Sequence, residues 1–243
     1  MSQTLQQMIA ATSVSSVWSL FKNTMRHYGF ESMIYASGRA SHQCYFGDLR
    51  EATLLETGPR AFGETFLKER LYLHFPPVMW AAQNTGFLTW DAATAKINAN
   101  ATCQTRRAQA LNETFGFRHG IVGGMNDFVT GTNAIVGLVQ RTDLDGRDLE
   151  TMWGHNRQDI EALCHLLHLK VSSLPCERPQ YHMTDRQREV LTWAADGKQT
   201  QDIALIMNLH FATVEKHLRH ARFALDAETT AHAVRKATAL HLI

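Results

Sequence analysis

Between Phe211 and Leu225 the chain sets Thr213, Lys216, Arg219, His220 and Arg222 along a stretch whose apolar residues, Val214, Leu218, Ala221 and Leu225, recur at steps of four, three and four. That period belongs to a helix with one buried stripe, so the polar residues, Glu215 among them, project away from it. Their donors suit phosphate oxygens and base edges, the chemistry of a helix lying in a DNA groove. Lys198 is grouped with them as a candidate DNA contact.

The elements that must position this face are short. A helix from about Thr200 to Met207 buries Ile203, Ala204 and Met207, and Asn208-Leu209-His210 links it to the next, a spacing that fits a helix-turn-helix. Asn208 is expected in the left-handed region, and Gly197 is expected to close the preceding helix, from Asp185 to Asp196. His210 and Gln199 stand where a Ser, Thr, Asp or Asn would cap best, which weakens each helix start by about 1 kcal/mol.

Taken together, Thr184-Asp-Arg-Gln-Arg-Glu189-Val-Leu191, Trp193, Gly197-Lys198, Ile203-Ala204 and Thr213-Val214-Glu-Lys-His217-Leu218 closely resemble the four-helix DNA-binding domain of LuxR-type regulators. The resemblance implies that the third helix enters the major groove, with Lys216, Arg219 and His220 near DNA. It also implies that the fourth helix, Glu228 to Leu240, pairs two copies, so that a homodimer meets a two-fold operator. Residues 181–243 carry eight Lys/Arg and seven Asp/Glu. Affinity would therefore rest on local placement and pairing, with few phosphates engaged per protomer.

At 243 residues, 44% hydrophobic, with formal charge +1, the chain can build one sizeable core and a smaller one. Cys44, Cys103, Cys164 and Cys176 show no metal-like or disulfide-like spacing, and no charged, apolar leader opens the chain. A reducing cytoplasm is the expected compartment. No run of 18 apolar residues is present to cross a membrane. Of thirteen histidines, His165/His168 and His217/His220 have helical pair spacing but lack a third ligand nearby, so no metal or other cofactor is assigned.

Upstream, helices are expected at Val14 to Tyr28, Arg60 to Arg70, Pro77 to Gln83, Ala92 to Phe115 and Asp145 to Leu169. Strands are expected at Ser32 to Ala36, Arg118 to Gly123 and Asn133 to Gln140. The fold class is thus α/β plus all-α: an N-terminal α-β-α sandwich over residues 1–170, a two-proline linker over 171–182, and the helix-turn-helix domain over 183–243. A phosphoryl-receiver domain does not fit, because no acidic pair occurs in the first 47 residues. Nucleophile elbow, phosphate-cradling glycine loop and metal set are all lacking, and Gly120-Ile-Val-Gly-Gly reads as strand packing, so no enzyme is expected.

This half resembles the autoinducer-binding domain of LuxR-type receptors, whose pocket carries Trp-x3-Tyr-x8-Asp-Pro-x13-Trp and a later Gly. The same spacing falls on Phe62, Phe66, Phe75-Pro76 and Trp90, with Gly120 as the glycine. In lactone-binding members the first indole, the phenol and the carboxylate hydrogen-bond the ligand's lactone carbonyl, amide carbonyl and amide N–H. Phenylalanine can do none of this. Three unpaired polar groups would cost roughly 3 to 9 kcal/mol, against about 8 to 12 kcal/mol for micromolar to nanomolar binding. Trp80 is expected to pack between helices, while Tyr35, Tyr72 or water are the candidates for substitute contacts.

The expectation is a transcriptional regulator whose sensor domain either is filled by its own phenylalanines or takes a small apolar or aromatic ligand. Two alternatives stand beside it: an interaction protein that inactivates a related lactone receptor by heterodimerisation, and a true acyl-homoserine lactone receptor with substitute contacts.

Overall fold

A computed structural model describes residues 2–39, 52–97, 102–127, 132–174, 183–240 and 242–243. The chain divides into two compact units, Met1–Ser172 and Ser173–Ile243.

The first unit opens with helices α1 (Ser2–Ala10) and α2 (Val14–His27). It continues with strands β1 (Phe30–Arg39) and β2 (Thr53–Thr57), helices α3 (Arg60–Lys68) and α4 (Pro76–Gln83), strand β3 (Gly86–Thr89), and helices α5 (Trp90–Lys96) and α6 (Cys103–Thr114). Strands β4 (Gly120–Asp127) and β5 (Thr132–Gln140) then lead into the long helix α7 (Gly146–Ser173). The strands form one antiparallel sheet in the order β2-β1-β5-β4-β3. Alternation along paired strands sends Met33, Tyr35, Val136 and Leu138 to one face and Ala36, Ile135, Val139 and Val122 to the other. Helix α7 covers the first face, where His168 meets Tyr35 and His165 meets the ring of Phe87. The second face carries a core cluster built with α3 to α6. Helices therefore sandwich the sheet, as expected.

Three departures from the sequence expectation have local causes. The helix expected from Ala92 to Phe115 is two helices. Ile97 turns extended after α5, and Thr102, also extended, caps α6 by accepting the Thr105 N–H at 3.1 Å. Strands β2 and β3, of five and four residues, had no clear alternating pattern to announce them. Helix α7 continues to Ser173 and buries Val171, so Val171 to Ser173, assigned to the linker, form its last turn. The rest of that linker, from residue 175 to 182, lies outside the described residues. At the other end of α7, the Asp145 carboxylate accepts from the Arg147 and Asp148 N–H groups at 2.8 and 3.0 Å, which holds its pKa below the usual carboxylate value.

The second unit holds α8 (Asp185–Ala195), α9 (Thr200–Ile206), α10 (Phe211–Ala224) and α11 (Thr230–Ala239). Val190, Leu191, Ile203, Val214, Leu218, Ala221, Leu225, Ala233 and Ala237 form its core.

Candidate DNA interface and sensor-domain cluster

Helix α8 starts with a capping box. Thr184 Oγ1 accepts from the Gln187 N–H, and Gln187 Oε1 accepts from the Thr184 N–H. Gly197 (φ +80°) ends that helix, and Asn208 (φ +51°) bends the chain between α9 and α10, the two left-handed positions expected from sequence. At Gln199 the weak cap is offset by Asp202, whose carboxylate accepts the Gln199 N–H at 3.0 Å. At His210 no side chain caps α10.

Val214, Leu218, Ala221 and Leu225 are all buried, which turns Lys216, Arg219 and His220 outward and exposed. Among the described residues no hydrogen bond or ion pair engages these three. Lys198 is exposed in the turn between α8 and α9, and Thr213 is half-buried. Arg222 differs from its companions: it is half-buried, and its Nη1 donates to Thr230 Oγ1 at 2.9 Å, tying α10 to the start of α11. A surface groove of about 460 Å³ opens beside the starts of α9 and α10, lined in part by Lys198, Thr200, Gln201, Phe211 and Glu215.

In the first unit, Phe62 and Phe66 share one face of α3 because they stand four residues apart. Phe75 is extended (φ −89°, ψ 113°), as a residue before proline prefers, and Pro76 then starts α4. Thr89 caps α5 and puts Trp90 at its first position. These elements bring the rings into one series of contacts. Phe62 stacks on Phe66 at 5.1 Å between centroids, Phe66 meets Phe75 edge to face at 6.1 Å, and Phe75 meets Trp90 edge to face at 5.1 Å. Gly120 makes room for the last ring: a Cβ there would lie 2.6 Å from Trp90 Cε2 and 2.4 Å from the Leu138 carbonyl oxygen. A fork from Arg107 of α6 to the Glu69 carboxylate steadies the end of α3, and its hydrogen bonds hold Glu69 below the ordinary carboxylate pKa.

Residues 13–171 match the family model of the autoinducer binding domain, and residues 182–237 match that of the bacterial regulatory proteins of the luxR family. The chain is a LuxR-family transcriptional regulator. Similar curated proteins include the transcriptional activator protein BjaR1 of Bradyrhizobium diazoefficiens, 24% identical over 213 residues that span 85% of this chain and 81% of that one. Another is the quorum sensing-dependent transcriptional regulator RpaR of Rhodopseudomonas palustris, 26% identical over 230 residues, 93% of this chain and 87% of that one. Among solved structures, Escherichia coli SdiA superposes with a TM-score of 0.56 at 15% identity, covering 100% of this chain and 97% of its own, a likeness of fold. The named relatives are regulators of transcription and not enzymes.

For this LuxR-family regulator, α9 and α10 are the helix-turn-helix of the DNA-binding domain. The sensor residues singled out by spacing, Phe62, Phe66, Phe75, Trp90 and Gly120, come together, but Tyr35, a candidate substitute contact, does not join them. Tyr35 lies on the opposite face of the sheet, fully buried, with its hydroxyl 2.8 Å from His168 Nδ1. Its strand register, which sends Ala36 to the phenylalanine side, is the reason. Burial, partly offset by hydrogen bonds with Ser37 and Ser172, pushes the Tyr35 pKa up to about 12. Tyr72 does border the cluster, edge-on to Phe66 at 6.5 Å. Trp80 packs in the same core.

Four rings escaped the sequence reading. Phe115 and Phe117 both meet Phe62 edge-on, at 5.6 and 4.8 Å. The Phe-Gly-Phe spacing carried that signal. On α10, Phe211 is half exposed and Phe223 is 88% exposed. Phe223 stands nine residues after Val214, half a turn round from the buried stripe, so helical periodicity alone could have marked it as outward.

Proposed function

We propose that this regulator acts in the cytoplasm as a homodimer on a two-fold DNA operator, and that its sensor domain folds and signals without a small molecule. The carrying observation is the unbroken ring series Phe62–Phe66–Phe75–Trp90, in which side chains contact one another across the positions where lactone-binding relatives are expected to hold polar groups. The aliphatic part of the surrounding core, Leu71, Ala81, Ala93, Ala108, Val122 and Ile135, offers no side-chain hydrogen bond to a lactone amide, and within the cluster only Tyr72, Trp80 and Trp90 carry a polar atom. Tyr35, a candidate substitute donor, is spent on His168 at the other face.

On the DNA side, the free Lys216 and Arg219, exposed opposite the stripe of α10, support phosphate and base contacts, with His220 and Thr213 beside them and Lys198 from the neighbouring turn. Two such helices about one DNA turn apart, ~34 Å, require a symmetric operator.

The test has two parts. Full-length protein expressed without additives is denatured and analysed by mass spectrometry, and the same preparation is offered random-sequence duplex DNA. Soluble dimer without a stoichiometric small molecule, enriching a palindromic site, is the expected result. A bound apolar compound in every protomer would overturn ligand independence. A dimer that enriches no sequence would overturn operator binding by the homodimer.

A further inference from the structure

We infer that Glu215 is a specificity-determining residue of the DNA interface, accepting a hydrogen bond from the exocyclic amino group of a cytosine in the major groove. The inference rests on α10 serving as the recognition helix, as proposed above.

Glu215 is the fifth residue of α10, in the N-terminal part from which recognition helices reach base edges. At about 100° per residue it lies beside the buried Val214 stripe and next to the outward Lys216. Its side chain is exposed, and no ion pair among the described residues neutralises it. Thr200, the first residue of α9, instead donates its hydroxyl to Glu215 Oε1 at 3.0 Å. Both side chains line the groove beside the two helix starts. The carboxylate is thus held in a fixed direction from across the turn, with Oε2 left as a pure acceptor.

A carboxylate pushed between two phosphate strands meets like charge everywhere except at a base amino group. Cytosine offers its N4 donor to the major groove, the edge with which Glu and Asp side chains pair. Adenine sets its N6 donor beside the N7 acceptor, a pattern matched by an amide and not by a carboxylate. With Oε1 already engaged by Thr200, one acceptor aimed at one donor fits cytosine best. Lys216 and Arg219 would hold the backbone and neighbouring bases, and Glu215 would reject the wrong base at its own position.

The test compares full-length wild type, E215Q and E215A in selections from random-sequence duplex DNA, followed by equilibrium titrations on the enriched site and its single-base variants. Melting curves of the three proteins are expected to coincide, because the side chain is exposed. Wild type should enrich a cytosine at one position of each half-site, preferring it about 5- to 100-fold. E215Q keeps an oxygen for Thr200 but turns the free acceptor into an NH2 donor, and its preference at that position should move from cytosine to a base that offers an acceptor there, guanine foremost. E215A should lose the preference while its affinity for unrelated DNA rises, since a like charge has left the groove. Identical base preferences for wild type and E215Q would overturn the inference and reduce Glu215 to a tether for Thr200. Failure of wild type to enrich any sequence would instead refute DNA recognition by the homodimer, and this inference with it.

Discussion

Replacing Phe66 with alanine tests whether the sensor core is filled or hollow. Phe66 is 5% exposed and touches the rings of Phe62, Tyr72 and Phe75 at centroid distances of 5.1, 6.5 and 6.1 Å. Deleting a buried phenylalanine side chain from a closed core typically costs about 3 to 5 kcal/mol, combining lost transfer energy with the void left behind. The three aromatic contacts, at about 0.5 to 1.5 kcal/mol each, argue for the upper part of that range. In a unit of this size the loss corresponds to a melting shift of roughly 6 to 20 °C. Chemical denaturation of the full chain followed by tryptophan fluorescence is the assay, since Trp90 is separated from Phe66 only by Phe75. A partial recovery on adding benzene or toluene is expected, because an apolar void stays dry and accepts such molecules. A cost below about 1 kcal/mol would refute the reasoning: Phe66 would then border an existing space, and the domain would be a receptor awaiting an apolar ligand.

Four further outcomes are expected. Gly120→Ala should destabilise the sensor unit by about 1 to 3 kcal/mol or prevent folding, because the added carbon would meet the Leu138 carbonyl as well as Trp90; denaturant midpoints check this. Lys216→Ala and Arg219→Ala should each weaken DNA binding and reduce the slope of log affinity against log salt by about one, with melting unchanged, as measured by titration at several salt concentrations. Arg222→Ala should instead lower the stability of the second unit by about 1 kcal/mol through loss of the bond to Thr230, which calorimetry would show. For Tyr35, the folded pKa of about 12 lies above the ordinary value near 10, so its contribution of about 3 kcal/mol is complete below pH 10 and is lost as pH rises from 10 to 12. Alkaline unfolding curves should show that loss, and Tyr35→Phe should remove it.

The second unit was legible almost residue by residue because its information is local. The 3.6-residue stripe of Val214, Leu218, Ala221 and Leu225 and the left-handed Asn208 and Gly197 each depend on neighbours within one or two turns. In the first unit the strong helices and the paired strands β4 and β5 were equally plain. Strand β3 was not, since four residues starting with glycine show too little alternation to distinguish strand from turn. Tyr35 illustrates a limit of another kind. Its place in a strand was readable, but its side of the sheet depends on pairing with Val136, a residue 101 positions away. Arg222 was grouped with the DNA contacts for its charge, and only the placement of Thr230 reveals its different partner. The capping value of Asp202 shows the reverse, a short-range cue three residues after Gln199 that offsets a weak cap.

Lys236 of α11 is buried, and its ammonium donates to the carbonyls of Leu225 and Asp226, at 3.2 and 2.9 Å, where α10 ends. With Arg222 bonded to Thr230 a few residues away, α10 and α11 are clamped at both sides of their connecting turn. The two helices therefore behave as a single stiff bracket. In a homodimer paired through α11, as the family resemblance implies, there would be little slack with which to adjust the reach between reading helices. Inserting one base pair at the centre of the operator would displace one half-site by about 3.4 Å and rotate it by roughly 34°. A bracket of this kind cannot follow that screw motion, so the regulator would measure the length of its site as strictly as its letters.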